Sequence, residues 1–233
     1  MNVLSAKKFY PVIHCVSPDT EQGVGHALAN VRIAEENGTD GVFLIGHGVH
    51  FSEMIDIYGQ VRKQFPEFWI GINFLDIPAY NADGLVATTR RCPGLNALWM
   101  DRMPTNRLVL PSSVQVFCGV AFKYINPDLS GDGLKEECLE AIRVVDVATT
   151  SGNKTGFPPD VKKIESIKEN LKGMVPLAIA SGIMYENVHH FLSITDVFLV
   201  ASSITRYDNE RGGHEYLQRA LVHKLSDAIH GNQ

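Results

Sequence analysis

Two apolar runs near the end of the chain stop in small hydroxyl residues. Residues 175–180 lead into Ser181-Gly182-Ile183, and residues 197–200 lead into Ala201-Ser202-Ser203. Glycine and serine let a backbone approach a ligand closely, and N–H groups at the start of a helix point at an anion. Two successive strand-like runs that open into such turns suit a phosphate group, with Ser181, Gly182, Ser202 and Ser203 as its anchors. The stretch Thr150-Ser151-Gly152-Asn153-Lys154-Thr155-Gly156-Phe157-Pro158-Pro159-Asp160 offers a third wall. Its Gly152, Thr155 and Gly156 are candidates to wrap the phosphate, and Thr150 and Ser151 to meet the rest of the substrate. As bare composition, the same stretch is an ordinary loop.

A second set of residues could move protons. Lys123 closes the run Val120-Ala121-Phe122, Asp101 follows Trp99-Met100, and His47 follows Ile45-Gly46. Lys123 suits a phosphate or carboxylate clamp, or an amine whose pKa is lowered by burial. Its plainer reading is a strand-end lysine reaching solvent. Asp101 suits a general acid or base, a sugar-hydroxyl acceptor or a counter-ion for Lys123. It could equally cap a turn. His47 suits acid–base work or a hydroxyl contact. His14 and Asn73 complete the set as substrate ligands, Asn73 with both a donor and an acceptor. His14, His47 and His50 form a loose histidine group with no spacing that demands a metal, so no metal site is assigned.

The elements that must position these groups alternate along the whole chain. Strand-like runs fall at 11–16, 41–45, 69–74, 96–100, 114–120, 144–149, 175–180 and 197–201. They are short and apolar on both faces, as parallel strands covered by helices should be. Helical stripes run through Val24–Ala34, Phe51–Phe65, Val161–Leu171 and Leu217–Ala228, and residues 184–193 read as a short helix. Between Met100 and Val114 there is room for little more than a turn. Eight such units favour a single-domain (β/α)8 TIM barrel over residues 1–233, with a degenerate fourth helix. An open doubly wound sheet would want a glycine-rich fingerprint after the first strand, where the chain has Ser17-Pro18-Asp19-Thr20. In a barrel, the candidate residues all sit at the C-terminal ends of strands, where such folds place their chemistry.

A chain of 233 residues with 45% apolar content can bury this core. The net charge of −5 argues against a nucleic-acid surface. Cys15, Cys92, Cys118 and Cys138 are widely spaced and read as reduced core residues of a cytoplasmic protein. The first ten residues lack the apolar stretch of a secretory signal, and no run is long enough for membrane insertion. No cofactor is evident, although phosphate or sulfate would fit the turns. Self-association into a homo-oligomer is left open.

The chain resembles the BtpA family, (β/α)8 proteins related to the ribulose-phosphate-binding barrels, across the whole barrel and most strongly from Asp146 to Thr205. The resemblance rests on the 150–160 loop and on Ser181-Gly182-Ile183 followed by Glu186-Asn187-Val188. Weaker likenesses are Ile13-His14, Gly71-Ile72-Asn73-Phe74-Leu75 and Phe122-Lys123. The chain departs from the family after the second strand, where Gly46-His47-Gly48 stands in place of Glu-Asn, and in lacking the Pro-rich loop after the first. The resemblance implies a phosphate-binding barrel, with a phosphoribosyltransferase-like pattern in its last third. Two functions follow from it. One is an enzyme of isomerase, glycosyl- or phosphoribosyl-transfer or lyase type, acting on a sugar phosphate or ribosyl-phosphate compound. The other is a non-catalytic assembly or regulatory factor that retains the pocket.

Overall fold

All eight apolar runs become strands: β1 (Lys8–His14), β2 (Val42–Ile45), β3 (Ile70–Asn73), β4 (Ala97–Met100), β5 (Gln115–Gly119), β6 (Val147–Thr150), β7 (Leu177–Ala180) and β8 (Val197–Val200). The structure is a computed structural model that describes residues 6–18, 23–154, 156–209 and 214–231. Each strand pairs in parallel with the next, and β8 pairs with β1, so the sheet closes into an eight-stranded barrel. Helices α1 (Gly23–Glu36), α2 (Phe51–Gln64), α3 (Ala82–Arg90), α4 (Gly131–Val144), α5 (Val161–Leu171) and α6 (Arg219–His230) surround it. No helix in the described residues is long and apolar enough to cross a membrane.

Alternation along each strand divides two cores. Tyr10, Val12, Phe43, Ile45, Trp99, Phe117, Val147, Ala178 and Leu199 fill the barrel interior. Their neighbours Ile13, Leu44, Ile72, Leu98, Cys118, Ala148, Ile179 and Val200 pack against the helices. Phe43 sits among aromatic rings, edge-on to Phe117 at 5.1 Å, Trp69 at 5.3 Å and Trp99 at 5.5 Å between centroids. Gly71, on the next strand, leaves room for it, since a Cβ there would lie 2.2 Å from the Phe43 ring.

The odd-numbered strands are tied near their starts by a repeated device. Asp40, Asn96, Asp146 and Asp196 precede the even-numbered strands by one or two residues. Each side chain accepts the first free backbone N–H of the preceding strand: Phe9 at 2.8 Å, Ile70 at 2.9 Å, Val116 at 2.8 Å and Leu177 at 2.9 Å. Each also meets a basic side chain, respectively Lys8, Arg62, Arg107 and Lys168. This ring lies at the N-terminal face, where a barrel invests in stability rather than chemistry.

Three sequence expectations need correction. Residues 184–193 form turns with a 3-10 segment at Val188–His190 rather than a helix. The Asn187 side chain accepts from Met184 N–H at 2.9 Å and donates to the Gly182 carbonyl at 2.9 Å, which competes with helical backbone pairing. Leu217 belongs to an antiparallel hairpin of β9 (Thr205–Asp208) and β10 (His214–Leu217), and the last helix starts only at Arg219. Val144 ends α4, so β6 begins at Val147. The stretch between β4 and β5 holds no helix, as expected of a degenerate fourth unit. The periodicity did not single out α3 and α4. All four cysteines are buried and unpaired.

Candidate active site

Two cavities open at the C-terminal mouth of the barrel and share Lys123 as a wall. The first, about 360 Å³, is lined by His14, His47, Trp99 and Lys123 on one side. Gly156, Ser181, Gly182, Ser202 and Ser203 line its other side. The second, about 350 Å³, is lined by Asn73, Asp101, Lys123 and the loops after β3 and β5.

The turns after β7 and β8 are built as one unit. The Ser203 hydroxyl donates to the Ile183 carbonyl at 2.7 Å, joining one turn to the other. Gly156 N–H donates to the Ser181 hydroxyl at 3.1 Å, bringing the loop after β6 against them. Among the described residues, the N–H groups of Gly182, Ser202 and Ser203 donate to no acceptor in the protein. Free N–H groups lining a concave turn are the donors an anion needs. Gly182 has φ 66°, and a Cβ there would lie 2.0 Å from Pro158 N and 2.1 Å from the Phe157 carbonyl carbon. Packing of this kind holds the 157–158 backbone down on the turn.

Backbone strain gathers at the same place. Four described non-glycine residues have positive φ: Ala121 at 45°, Tyr124 at 62°, Lys172 at 53° and Ser181 at 153°. Lys172 ends α5 in the left-handed cap that helices commonly use. The other three flank Lys123 or open the turn after β7. Such conformations persist only where neighbours over-determine them, and they cluster at functional sites.

Neighbours that do so for the Lys123 loop come from α4 and α5. Glu137 accepts Ala121 N–H at 2.8 Å. Lys163 Nζ donates to the carbonyls of Ala121 at 2.6 Å and Ser151 at 2.8 Å. The Ser151 hydroxyl accepts Lys123 N–H at 2.8 Å and donates to the Gly152 carbonyl at 3.0 Å. Burial pushes Lys163 down to about 8, against the opposing pull of Asp128 and Glu137. The unfolded chain holds that proton up to the ordinary 10.5, the folded chain only to about 8. Between those values the unfolded state binds more protons, so the stability attributable to Lys163 rises with pH. Urea unfolding of the wild type and Lys163→Met at pH 7.5 and 10 should show the wild type gaining on the variant at the higher pH. An unchanged difference would remove Lys163 from this role.

The titratable candidates lie round the mouth, linked in part by direct contacts. Glu215 of β10 meets His14 Nδ1 at 2.9 Å, and the His14 ring lies edge-on to His47 at 5.2 Å. In a neutral His14 whose Nδ1 donates to Glu215, the other ring nitrogen is an acceptor. Partial burial, then His14 and Lys123, push His47 below its ordinary value. Burial also lowers Lys123, with Asp101 working against it. Asp101 is raised by burial, although it accepts from Asn73 Nδ2 at 3.2 Å and lies near Lys123 and His47. A base made easier to deprotonate beside an acid made harder to ionise is an arrangement suited to proton transfer near neutral pH.

The structure thus brings His14, His47 and Lys123 into one cavity with the turns after β7 and β8, with Asp101 and Asn73 one step round the ring. It places other candidates differently. Thr150 lies on the helix-facing side of β6, by alternation with Ala148, and is fully buried. Ser151 is also fully buried and spends its hydroxyl on backbone groups. Gly152 lines neither cavity; a Cβ there would lie 2.2 Å from the Phe157 carbonyl oxygen. Thr155 lies outside the described residues. His50 caps α2, its Nδ1 2.8 Å from the Ser52 hydroxyl, and stands apart from His14 and His47. Among the described residues no three His, Cys, Asp or Glu side chains are grouped to hold a metal ion. Glu215, Lys163 and Trp99 were missed by sequence reasoning. A carboxylate or lysine gives no local sign of a distant partner. Trp99 carried a signal, since it precedes Asp101 by two residues on the inward face of β4.

A closed parallel barrel of eight strands defines the molecule as a (β/α)8 barrel, with two cavities at the C-terminal mouth. The model of the BtpA family matches residues 97–226, and the chain belongs to that family. An uncharacterized protein of Thermococcus kodakarensis is 30% identical over 99 residues, a match spanning 42% of this chain and 36% of that protein. Among solved structures, phosphoribosyl anthranilate isomerase of Thermotoga maritima superposes with a TM-score of 0.67 at 11% identity, over 97% of this chain and 99% of that one. Thiamine phosphate pyrophosphorylase of Pyrococcus furiosus gives 0.61 at 16% identity, over 95% of each chain. The Thermoplasma acidophilum (S)-3-O-geranylgeranylglyceryl phosphate synthase, solved with sn-glycerol-1-phosphate, gives 0.60 at 12% identity, over 97% of this chain and 94% of that one. At these identities the likeness is one of fold.

Proposed function

We propose that the protein is an enzyme acting on a phosphorylated small molecule of sugar-phosphate or ribosyl-phosphate type. The phosphate sits on the turns of Ser181-Gly182 and Ser202-Ser203, with Gly156 beside it. The reacting end lies towards Lys123, His47 and Asp101. The observation that carries this reading is the set of unused N–H groups at Gly182, Ser202 and Ser203, on residues that line one cavity with Lys123 and His47. The names of the structural neighbours, each with a phosphorylated compound in it, support the ligand class.

Remote phosphate binding supplies orientation at the far end of a small substrate. Lys123 then serves as a proton carrier or as a cation over developing negative charge, and Asp101 as its acidic partner. His14, held by Glu215, orients or relays through His47. Isomerisation, glycosyl or phosphoribosyl transfer and lyase chemistry all draw on such a set.

Thermal unfolding against a panel of phosphorylated sugars and nucleotides tests the anchor. A ligand at a hundred times its dissociation constant should stabilise the fold by about 2.7 kcal/mol. Ser181→Asp places a carboxylate against the phosphate and should abolish that gain. If no phosphorylated compound raises the melting midpoint of the wild type, the reading fails. A ligand that binds but is never turned over would leave a binding barrel without catalysis.

A further inference from the structure

The second cavity differs in character from the first. Its floor is polar, made by Asn73, Asp101 and Lys123, while its walls are apolar loops that include Leu75, Ile77 and Ile125. Two tyrosines stand at its rim with unusual exposure, Tyr80 at 84% and Tyr124 at 70%. Tyr124 is held there in a left-handed conformation, φ 62°, which a bulky residue adopts only under constraint. The 119–124 turn has little freedom: a Cβ on Gly119 would lie 2.1 Å from the Asp101 carbonyl oxygen.

A phosphate and a short polar linker do not use such a surface. Apolar walls with a few convergent polar groups recognise a weakly polar ring, and exposed tyrosine rings give it a face to stack on. Lys123 lines both cavities, so one ligand can cross it.

We infer that the second cavity seats a planar group, an aromatic ring or nucleobase, carried on the same ligand whose phosphate occupies the turns after β7 and β8. This rests on the phosphate reading above and adds the class of the substituent. The ligand therefore has three parts: phosphate at Ser181 and Ser202, a hydroxyl-bearing middle near Lys123, and a ring between Tyr80 and Tyr124.

Calorimetric titration of the full chain with inorganic phosphate, ribose 5-phosphate, uridine 5′-monophosphate and adenosine 5′-monophosphate separates the parts. At least one nucleotide should bind about tenfold or more tightly than ribose 5-phosphate, the usual scale of a base stacked on an aromatic side chain. Tyr80→Ala combined with Tyr124→Gly should erase that advantage while ribose 5-phosphate binds as before. Both substitutions lie at exposed positions, and the glycine relieves the strained φ, so the fold should persist; far-UV circular dichroism checks it. Nucleotides no tighter than ribose 5-phosphate, or an advantage that survives the double substitution, overturn the ring subsite and leave the phosphate anchor standing. Failure of all four ligands overturns both.

Discussion

In a Gly182→Ala chain, the melting midpoint and the response to phosphorylated ligand are expected to fall together. The residue has φ 66°, where an L side chain is strained by about 1–2 kcal/mol. The added Cβ would also meet the backbone of Phe157 and Pro158 at 2.0–2.5 Å, where no flexible side chain can yield. Overpacking of that kind costs about 1–3 kcal/mol, so a total of about 2–5 kcal/mol is expected. Gly231→Ala is the matched control, because its φ is 72° and nothing lies within 4 Å of its Cβ position. That variant should lose only the conformational part. Denaturant unfolding of both variants gives the difference, and ligand titration shows whether the turn has been pushed open. Equal losses in the two variants would mean that the close approach of the 157–158 backbone contributes nothing to the site.

The second large effect concerns Lys123. Removing its amine in Lys123→Met is expected to cut turnover of a phosphorylated substrate by about two to four orders of magnitude, the range for a positioned acid or base. Phosphate binding should persist, since the serine turns lie on the opposite wall. Asp101→Asn makes a separate statement through pH. The Asp101 carboxylate works to raise Lys123 against burial. Without that charge Lys123 gives up its proton at lower pH, so the limb of the pH–rate profile that belongs to Lys123 should move down. The direction is the same whether Lys123 acts as a base or as a charged clamp; only the sense of the limb differs. A limb that stays in place would separate Asp101 from Lys123.

The candidates at the barrel mouth could be named from the sequence because they stand at the C-terminal ends of strands, and period two explains why they point inward. Inward residues such as Val12, Ile45 and Trp99 point on to His14, His47 and Asp101 two positions later, and those are the side chains at the mouth. At the end of β6 the candidates rested on loop composition, which carries no such alternation. Thr150 falls on the outer face and Ser151 is consumed by the Lys123 loop, which composition alone does not reveal. The helix expected after β7 gave way to turns because one side chain, Asn187, satisfies backbone groups locally. The Asp and Asn residues before the even strands are a visible pattern, yet their meaning depends on which strand lies alongside.

By itself the chain determined the barrel, the closed order of its strands and the two hydroxyl-rich turns that end β7 and β8. Short runs apolar on both faces, alternating with helices, have few other ways to hide their surfaces. Tertiary structure alone decided which strand ends share a cavity. Closure of β8 on β1 brings the serine turns beside His14 and His47, and leaves Asn73 and Asp101 to a second chamber beyond Lys123. It also brought Glu215 to His14 across 201 residues, and Lys163 under the Lys123 loop. Those contacts arise from ring closure and side-chain reach in space, and no spacing along the chain encodes them.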